Sequence, residues 1–195
     1  MNRQEKLADI QEIHARQCQC SLRHTATRPV YGIGSPDARI VFIGEAPGAK
    51  EDKEGKPFIG SAGKILTELL GSIKLSREDV YITNIIKYRP PNNRDPLPQE
   101  KADCSAWLSA ELAYIQPTLV VFLGRHSLNH FFPEMKIGDV HGQMFTADIP
   151  DIPTRHFLPL YHPASAIYNR SLRSVLTEDF KKIPVLLKKI GSART

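Results

Sequence analysis

The sequence predicts an α/β fold: a three-layer α/β/α sandwich around a central, mainly parallel four-stranded sheet. Four short apolar runs, at residues 40–43, 80–83, 119–123 and 156–160, recur along the chain. Each has the length of a buried strand and is bounded by turn-forming or polar residues. Between them lie longer stretches with apolar residues at helical spacing. Strands alternating with helices build a parallel sheet covered on both faces, through right-handed crossovers.

Taken in order, Leu7, Ile10, Ile13 and His14 define a short N-terminal helix. Ile40-Val41-Phe42-Ile43 is the first strand and stops at Gly44. After Ser61-Ala62-Gly63, Ile65, Leu66, Leu69, Leu70 and Ile73 mark a helix. Val80-Tyr81-Ile82-Thr83 is the second strand, ending at Asn84, and RPPNNRDPLP at residues 89–98 reads as a loop. Residues 99–115 form a helix with Ala102, Trp107, Leu108 and Leu112 turned inward, stopped by Pro117. The third strand, 119–123, closes at Gly124 and leads into a short helix to residue 131. Residues 136–153 read as a hairpin or irregular edge. The fourth strand, 156–160, ends at Tyr161-His162-Pro163, and residues 174–190 form the closing helix.

The chain of 195 residues fits one domain, 1–195, with ample core. A hydrophobic content of 41% beside 24% charged residues is that of a soluble globular protein. No apolar run approaches the ~20 residues of a membrane helix. The opening MNRQEKLADIQEIHARQ is polar and amphipathic rather than secretory. A cytoplasmic monomer is the expectation. Three cysteines in such a chain argue against a disulfide framework. The net charge of +5 suits a polyanionic partner without requiring one. Lys181, Lys182, Lys188 and Lys189 on the closing helix read as a solvated face.

In a parallel sheet, ligands bind beyond the carboxyl ends of the strands. The loop after Gly44, Asn84, Gly124 and His162 all fall there. That loop, GEAPGAKEDKEGKPFIGSAGKIL, spends roughly seventeen residues between strand and helix, where such connections usually take about 2–6. It is not a Walker loop: Gly63-Lys64 is followed by Ile65, and Phe58 stands where the earlier glycine belongs. Gly44, Gly48 and Gly55 lack the dinucleotide-binding spacing. Four acids, Glu45, Glu51, Asp52 and Glu54, would repel phosphate. Metal-dependent hydrolysis ranks below a metal-free site, because nearly all the carboxylates lie in one loop.

GEAPGAKED, GKPFIGSAGKIL, TNIIKYRPPNNRDP and YHPAS, in that order, resemble the motif set of family-four uracil-DNA glycosylases, the iron–sulfur branch of their superfamily. The resemblance implies a monofunctional enzyme that flips uracil out of DNA and hydrolyses its bond to the sugar, leaving an abasic site for base-excision repair. Phe58 would stack on the flipped base, and Asn84 would read its edge; Asn is also a common turn residue after a strand. His162 would stabilise charge on the departing base. Glu45 would serve the sugar and the attacking water, and Glu51 would lie near uracil C5, although sequence alone leaves the two glutamates' roles interchangeable. Asp52 would be a structural cap. Gly44, Ala46, Pro47 and Gly48 would complete the pocket with backbone amides. Residues 163–170, including Ser165 and Arg170, would enter the helix and contact phosphates; Arg170 and Arg173 read equally well as surface arginines.

Members of that family hold a [4Fe–4S] cluster on four cysteines. Cys20 and Cys104 fall at two of the expected positions, Cys18 is displaced from the position of Gln17, and Tyr88 stands where another cysteine belongs. His14 or His24 could substitute, but the sequence leans against an intact cluster. RPPNNRDP has no histidine, so the covalent uracil trapping of a related branch is not expected. Two rival readings follow: a glycosylase for hypoxanthine, xanthine or mismatched thymine, and an inactive module that binds damaged DNA.

Overall fold

The computed structural model describes residues 2–192; residues 1 and 193–195, the ends of the expected domain, lie outside the described residues. All four expected strands form, and a two-residue strand is added at each edge. The strands are β1 (Ile33–Gly34), β2 (Ile40–Gly44), β3 (Tyr81–Asn84), β4 (Leu119–Leu123), β5 (Phe145–Thr146) and β6 (His156–Leu160), in the order β1-β3-β2-β4-β6-β5. The central four are mutually parallel, while β1 and β5 pair antiparallel with their neighbours. The expected count of four therefore becomes six. Two-residue edge strands carry no periodicity to read, although β5 falls inside the segment expected to be a hairpin or irregular edge and pairs antiparallel with β6.

The helices are α1 (Arg3–Gln17), α2 (Ala49–Glu54), α3 (Ser61–Ser72), α4 (Pro98–Ile115), α5 (Arg125–Phe131), α6 (Ile137–Val140), α7 (Ser165–Tyr168) and α8 (Arg170–Ser192). Alternate side chains of each strand point to opposite faces, and two cores result. Val41, Ile43, Val120 and Phe122 pack with Leu7 of α1, Leu108 and Leu112 of α4 and Leu128 of α5. Ile40, Phe42, Val121 and Leu123 pack with Leu66 and Leu70 of α3 and Leu176 and Phe180 of α8. These are the three expected layers.

Three local expectations change. The inward stripe of α1 is Leu7, Ile10 and His14, and Ile13 is exposed. On α4, Ala102 is exposed and Trp107 half-buried, while Cys104 and Glu111 turn inward. α8 begins at Arg170, not at residue 174.

A buried polar group ties β3 to α4. Lys87, 1% exposed, donates to Thr83 Oγ1 (2.7 Å), to the Asn84 carbonyl (2.9 Å) and to Glu111 Oε2 (2.7 Å). Thr83 donates to the same Glu111 oxygen at 3.0 Å. The ion pair is dry, and every ammonium donor has an acceptor, as a buried charge requires. Among the described residues, no helix is long and apolar enough to cross a membrane.

Candidate active site

The ends of β2 and β3 lie side by side, with Gly44 paired to Asn84. This register places Asn84 at the floor of a cleft of about 430 Å³, whose walls include Ala46, Gly48, Glu51, Phe58 and His162. Asn84 is 2% exposed, and its Oδ1 has no hydrogen-bond partner among the described residues. A buried amide oxygen left bare is costly unless a ligand satisfies it. Gly44 is required beneath it: a Cβ there would stand 2.4 Å from Asn84 Oδ1 and 2.6 Å from Phe58 Cζ.

The long loop is more ordered than its composition suggests. It contains α2, a helix of AKEDKE that ends at Gly55 in the left-handed region (φ 74°). Glu51 of this helix accepts from the backbone N–H groups of Ile59 (3.0 Å) and Gly60 (2.8 Å). Its carboxylate thus shapes the cleft wall and pins the chain beside Phe58. Asp52 faces the other way and accepts from the Thr27 amide (2.8 Å) and hydroxyl (2.7 Å), a structural tie.

Phe58 has φ 53°, a left-handed conformation that a residue with a Cβ adopts at a cost of about 1–2 kcal/mol. Arg77 holds it there, donating to the carbonyls of Phe58 (3.1 Å) and Pro57 (2.8 Å). The Phe58 and His162 rings lie 5.6 Å apart, centroid to centroid, at an angle of 30°.

His162 has a defined tautomer. The Ala164 amide donates to its Nδ1 at 3.1 Å, so Nδ1 accepts and the ring proton resides on Nε2. Burial, with His126 nearby, lowers its pKa to about 4, so the ring is neutral near pH 7. Gly124, with φ 93°, lets β4 turn directly behind it; a Cβ there would stand 2.9 Å from the His162 Cβ.

Glu45 follows Gly44 on the same rim. Burial, together with the Asp95 carboxylate, raises its pKa to about 7. Its Oε1 is buried without a hydrogen bond among the described residues, 3.3 Å from His126 Nδ1. His126 Nε2 lies 3.4 Å from Asp95 Oδ2, and burial lowers the pKa of this imidazole too. Arg125 Nε donates to the same Nε2 at 3.0 Å, so in the neutral ring Nε2 accepts and the proton lies on Nδ1, on the side of Glu45. Sequence reasoning missed His126, although its place in the first turn after β4, beyond a strand end, is a usable signal.

The structure therefore brings Gly44, Glu45, Ala46, Gly48, Glu51, Phe58, Asn84 and His162 to one rim. Pro47 lies in the same turn. Asn93, from the loop after β3, and Ile167 and Tyr168 of α7 were not expected in the cleft wall. Ser165 donates its hydroxyl to the His162 carbonyl at 2.7 Å and so steadies the turn that carries the imidazole. Arg170 is exposed at the start of α8. Arg173 pairs with Glu68 at the surface, at 2.7 Å.

Cys18, Cys20, Cys104 and Tyr88 come together elsewhere, in the core beneath α1 and α4. Donor atoms of His14, Cys18 and Cys104 lie within 4.8 Å of one another, a group that could hold a metal ion. Tyr88 does not act as a fourth thiolate; its ring stacks on His14 at 5.4 Å and 26°.

A cleft at the strand ends, floored by a bare amide and walled by an aromatic ring and a neutral histidine, is built to bind a planar polar ring. Its residues lie within a match to the uracil DNA glycosylase superfamily that covers residues 31–184, and the chain belongs to that family. Within it, the similarity extends to proteins of the type-4 class. The chain is 47% identical to the type-4 uracil-DNA glycosylase of Saccharolobus solfataricus, over 90% of its own length and 84% of that protein. It is 44% identical to that of Archaeoglobus fulgidus, over 92% of each, and 41% identical to that of Thermotoga maritima, over 98% of this chain and all of the relative.

Proposed function

We propose that this protein is a monofunctional uracil-DNA glycosylase that receives a uracil turned out of DNA and hydrolyses its N-glycosidic bond. The observation that carries the reading is the bare Oδ1 of Asn84 on the cleft floor. An amide oxygen accepts from uracil N3–H while its NH₂ donates to O4. Cytosine offers the reverse pattern and would leave buried groups unpaired, a mismatch that can cost ~10⁴ in selectivity.

Phe58 stacks on the base, and its clamped backbone keeps the ring in place. His162 Nε2–H donates to uracil O2 as the C1′–N1 bond breaks and its electron pair moves to the base. A neutral donor aimed at developing charge stabilises the transition state without being a charged partner in the ground state. Glu45, when ionised, orients water toward C1′, accepts its proton and offsets positive charge on the sugar. The water oxygen ends on C1′, and uracil leaves as an anion that solvent protonates. Glu51 stands on the wall where it would meet a methyl group at C5. Exposed Ile167 and Tyr168 at the mouth of the cleft suit the wedge that replaces a flipped base, and exposed Arg170 is free to meet a phosphate, whereas both donors of Ser165 are spent on the His162 carbonyl. Every group named comes from one chain, so a monomer suffices.

A [4Fe–4S] cluster does not fit the residues present. Tyr88 supplies no thiolate, so Cys18, Cys20 and Cys104 provide three thiolates where such a cluster takes four. No step of the reaction passes through it.

The test is alkali cleavage of oligonucleotides carrying uracil in single strands or opposite guanine, beside thymine and hypoxanthine controls. Cleavage at uracil alone is expected, and none at uracil overturns the reading. His162→Ala should lose roughly 10²–10³ in rate while retaining DNA binding.

A further inference from the structure

We infer that His14, Cys18, Cys20 and Cys104 form a four-coordinate site for a single zinc ion, in place of an iron–sulfur cluster. All four side chains are buried, the three cysteines at 1%, 0% and 0% exposure and His14 at 0%. The cysteines are free thiols; the sulfurs of Cys18 and Cys104 lie within 4.8 Å of each other, and both Cys18 and Cys20 interact with Cys104. None of the four borders the uracil cleft.

The histidine points to a ligand. Tyr31 donates its single hydroxyl proton to the Gln11 carbonyl at 2.9 Å. Its oxygen can then only accept from His14 Nδ1, which lies 3.0 Å away. This fixes the Nδ1–H tautomer and leaves the lone pair of Nε2 bare. Nε2 is buried and has no hydrogen-bond partner among the described residues. A metal-bound histidine is held in this way, with its second nitrogen donating to an oxygen that sets the ring's orientation. Tyr88 stacked on one face and Trp107 set edge-on at 5.0 Å hold the imidazole further in place.

Spacing selects the ion. Zinc takes thiolates at ~2.3 Å and imidazole at ~2.0–2.1 Å in a tetrahedron, so neighbouring donors stand roughly 3.5–4 Å apart. The donor atoms of His14, Cys18 and Cys104 lie within 4.8 Å of one another, and the Cys20 thiol, which reaches the Glu100 carbonyl at 4.0 Å, turns from it toward Cys104 to complete the tetrahedron. Three soft thiolates and one imidazole make a closed structural set with no position for water or substrate. The site joins α1, the segment after it, and α4.

The experiment uses the full chain, reduced, stripped with chelator and titrated with zinc or cobalt under anaerobic conditions. One equivalent of zinc should bind and raise the melting temperature, and cobalt should give the intense visible bands of a tetrahedral thiolate site. Tyr31→Phe, which keeps the ring packing, should weaken zinc 10–100-fold by releasing the His14 tautomer. His14→Ala should weaken it at least as much and shift the cobalt bands. The proposal is overturned by failure to take up zinc, by iron and inorganic sulfide at about four each per chain, by a disulfide that persists under reductant, or by unchanged zinc affinity in both variants.

Discussion

The Glu45 carboxyl is the group on this rim whose charge changes near neutral pH. Buried beside Asp95, it is raised to about 7. A base works only when ionised, so protons occupy it and remove it from service as pH falls through that value. His162, lowered to about 4, stays neutral throughout and contributes no limb near neutrality. kcat/KM reports the free enzyme's essential groups. For uracil excision it should therefore fall about tenfold per pH unit below about 7 and level off above it. Glu45→Gln should lower the plateau and abolish that limb. A limb that survives the substitution would assign the titration elsewhere.

At the scale of elements, the site is held by what lies behind it. Lys87 donates to the Asn84 carbonyl and is neutralised by Glu111 of α4, so a helix on the far side of β3 fixes the residue proposed to read the base. Lys87→Met strands a buried carboxylate and should cost about 3–5 kcal/mol, read by chemical denaturation. Pairing it with Glu111→Leu removes both charges and should recover most of that stability, because apolar replacement of a dry ion pair is often neutral. Excision should stay impaired in the double variant, since Asn84 has lost its anchor. Full activity in the double variant would show that the network serves stability alone.

Much at this scale was legible in the sequence, and the exceptions have physical causes. The four parallel strands are dense apolar runs, and Asn84 and His162 announce themselves by standing at strand ends. α2 escaped because AKEDKE has no apolar stripe; Gly55 and the Glu51 clamp set its end and its position. On α1, His14 rather than Ile13 faces inward, because the aromatic rings of Tyr31, Tyr88 and Trp107 surround an imidazole there. His126 was hidden by its neighbourhood: nothing near it in sequence shows that Glu45 and Asp95 flank it from two other loops.

For the whole molecule, one sheet serves two cores, which should therefore unfold as a single cooperative unit. β4 sends Val120 and Phe122 to the α4 side and Val121 and Leu123 to the α8 side. Neither layer can dissolve without exposing the face of strands that also support the other. Leu112 in the first layer and Leu176 in the second are both essentially fully buried, and each Leu→Ala substitution should cost about 2–5 kcal/mol. With the sheet between them, the two costs should add within about 0.5 kcal/mol. The chain's single tryptophan, Trp107, lies on α4 and reports on the first layer alone. Leu176→Ala should nonetheless move the urea midpoint seen by its fluorescence as far as the midpoint seen by far-ultraviolet circular dichroism, in one coincident transition. If fluorescence held its wild-type midpoint while dichroism shifted, the α8 layer would be unfolding on its own, and the two cores would be separate cooperative units joined only by the strands between them.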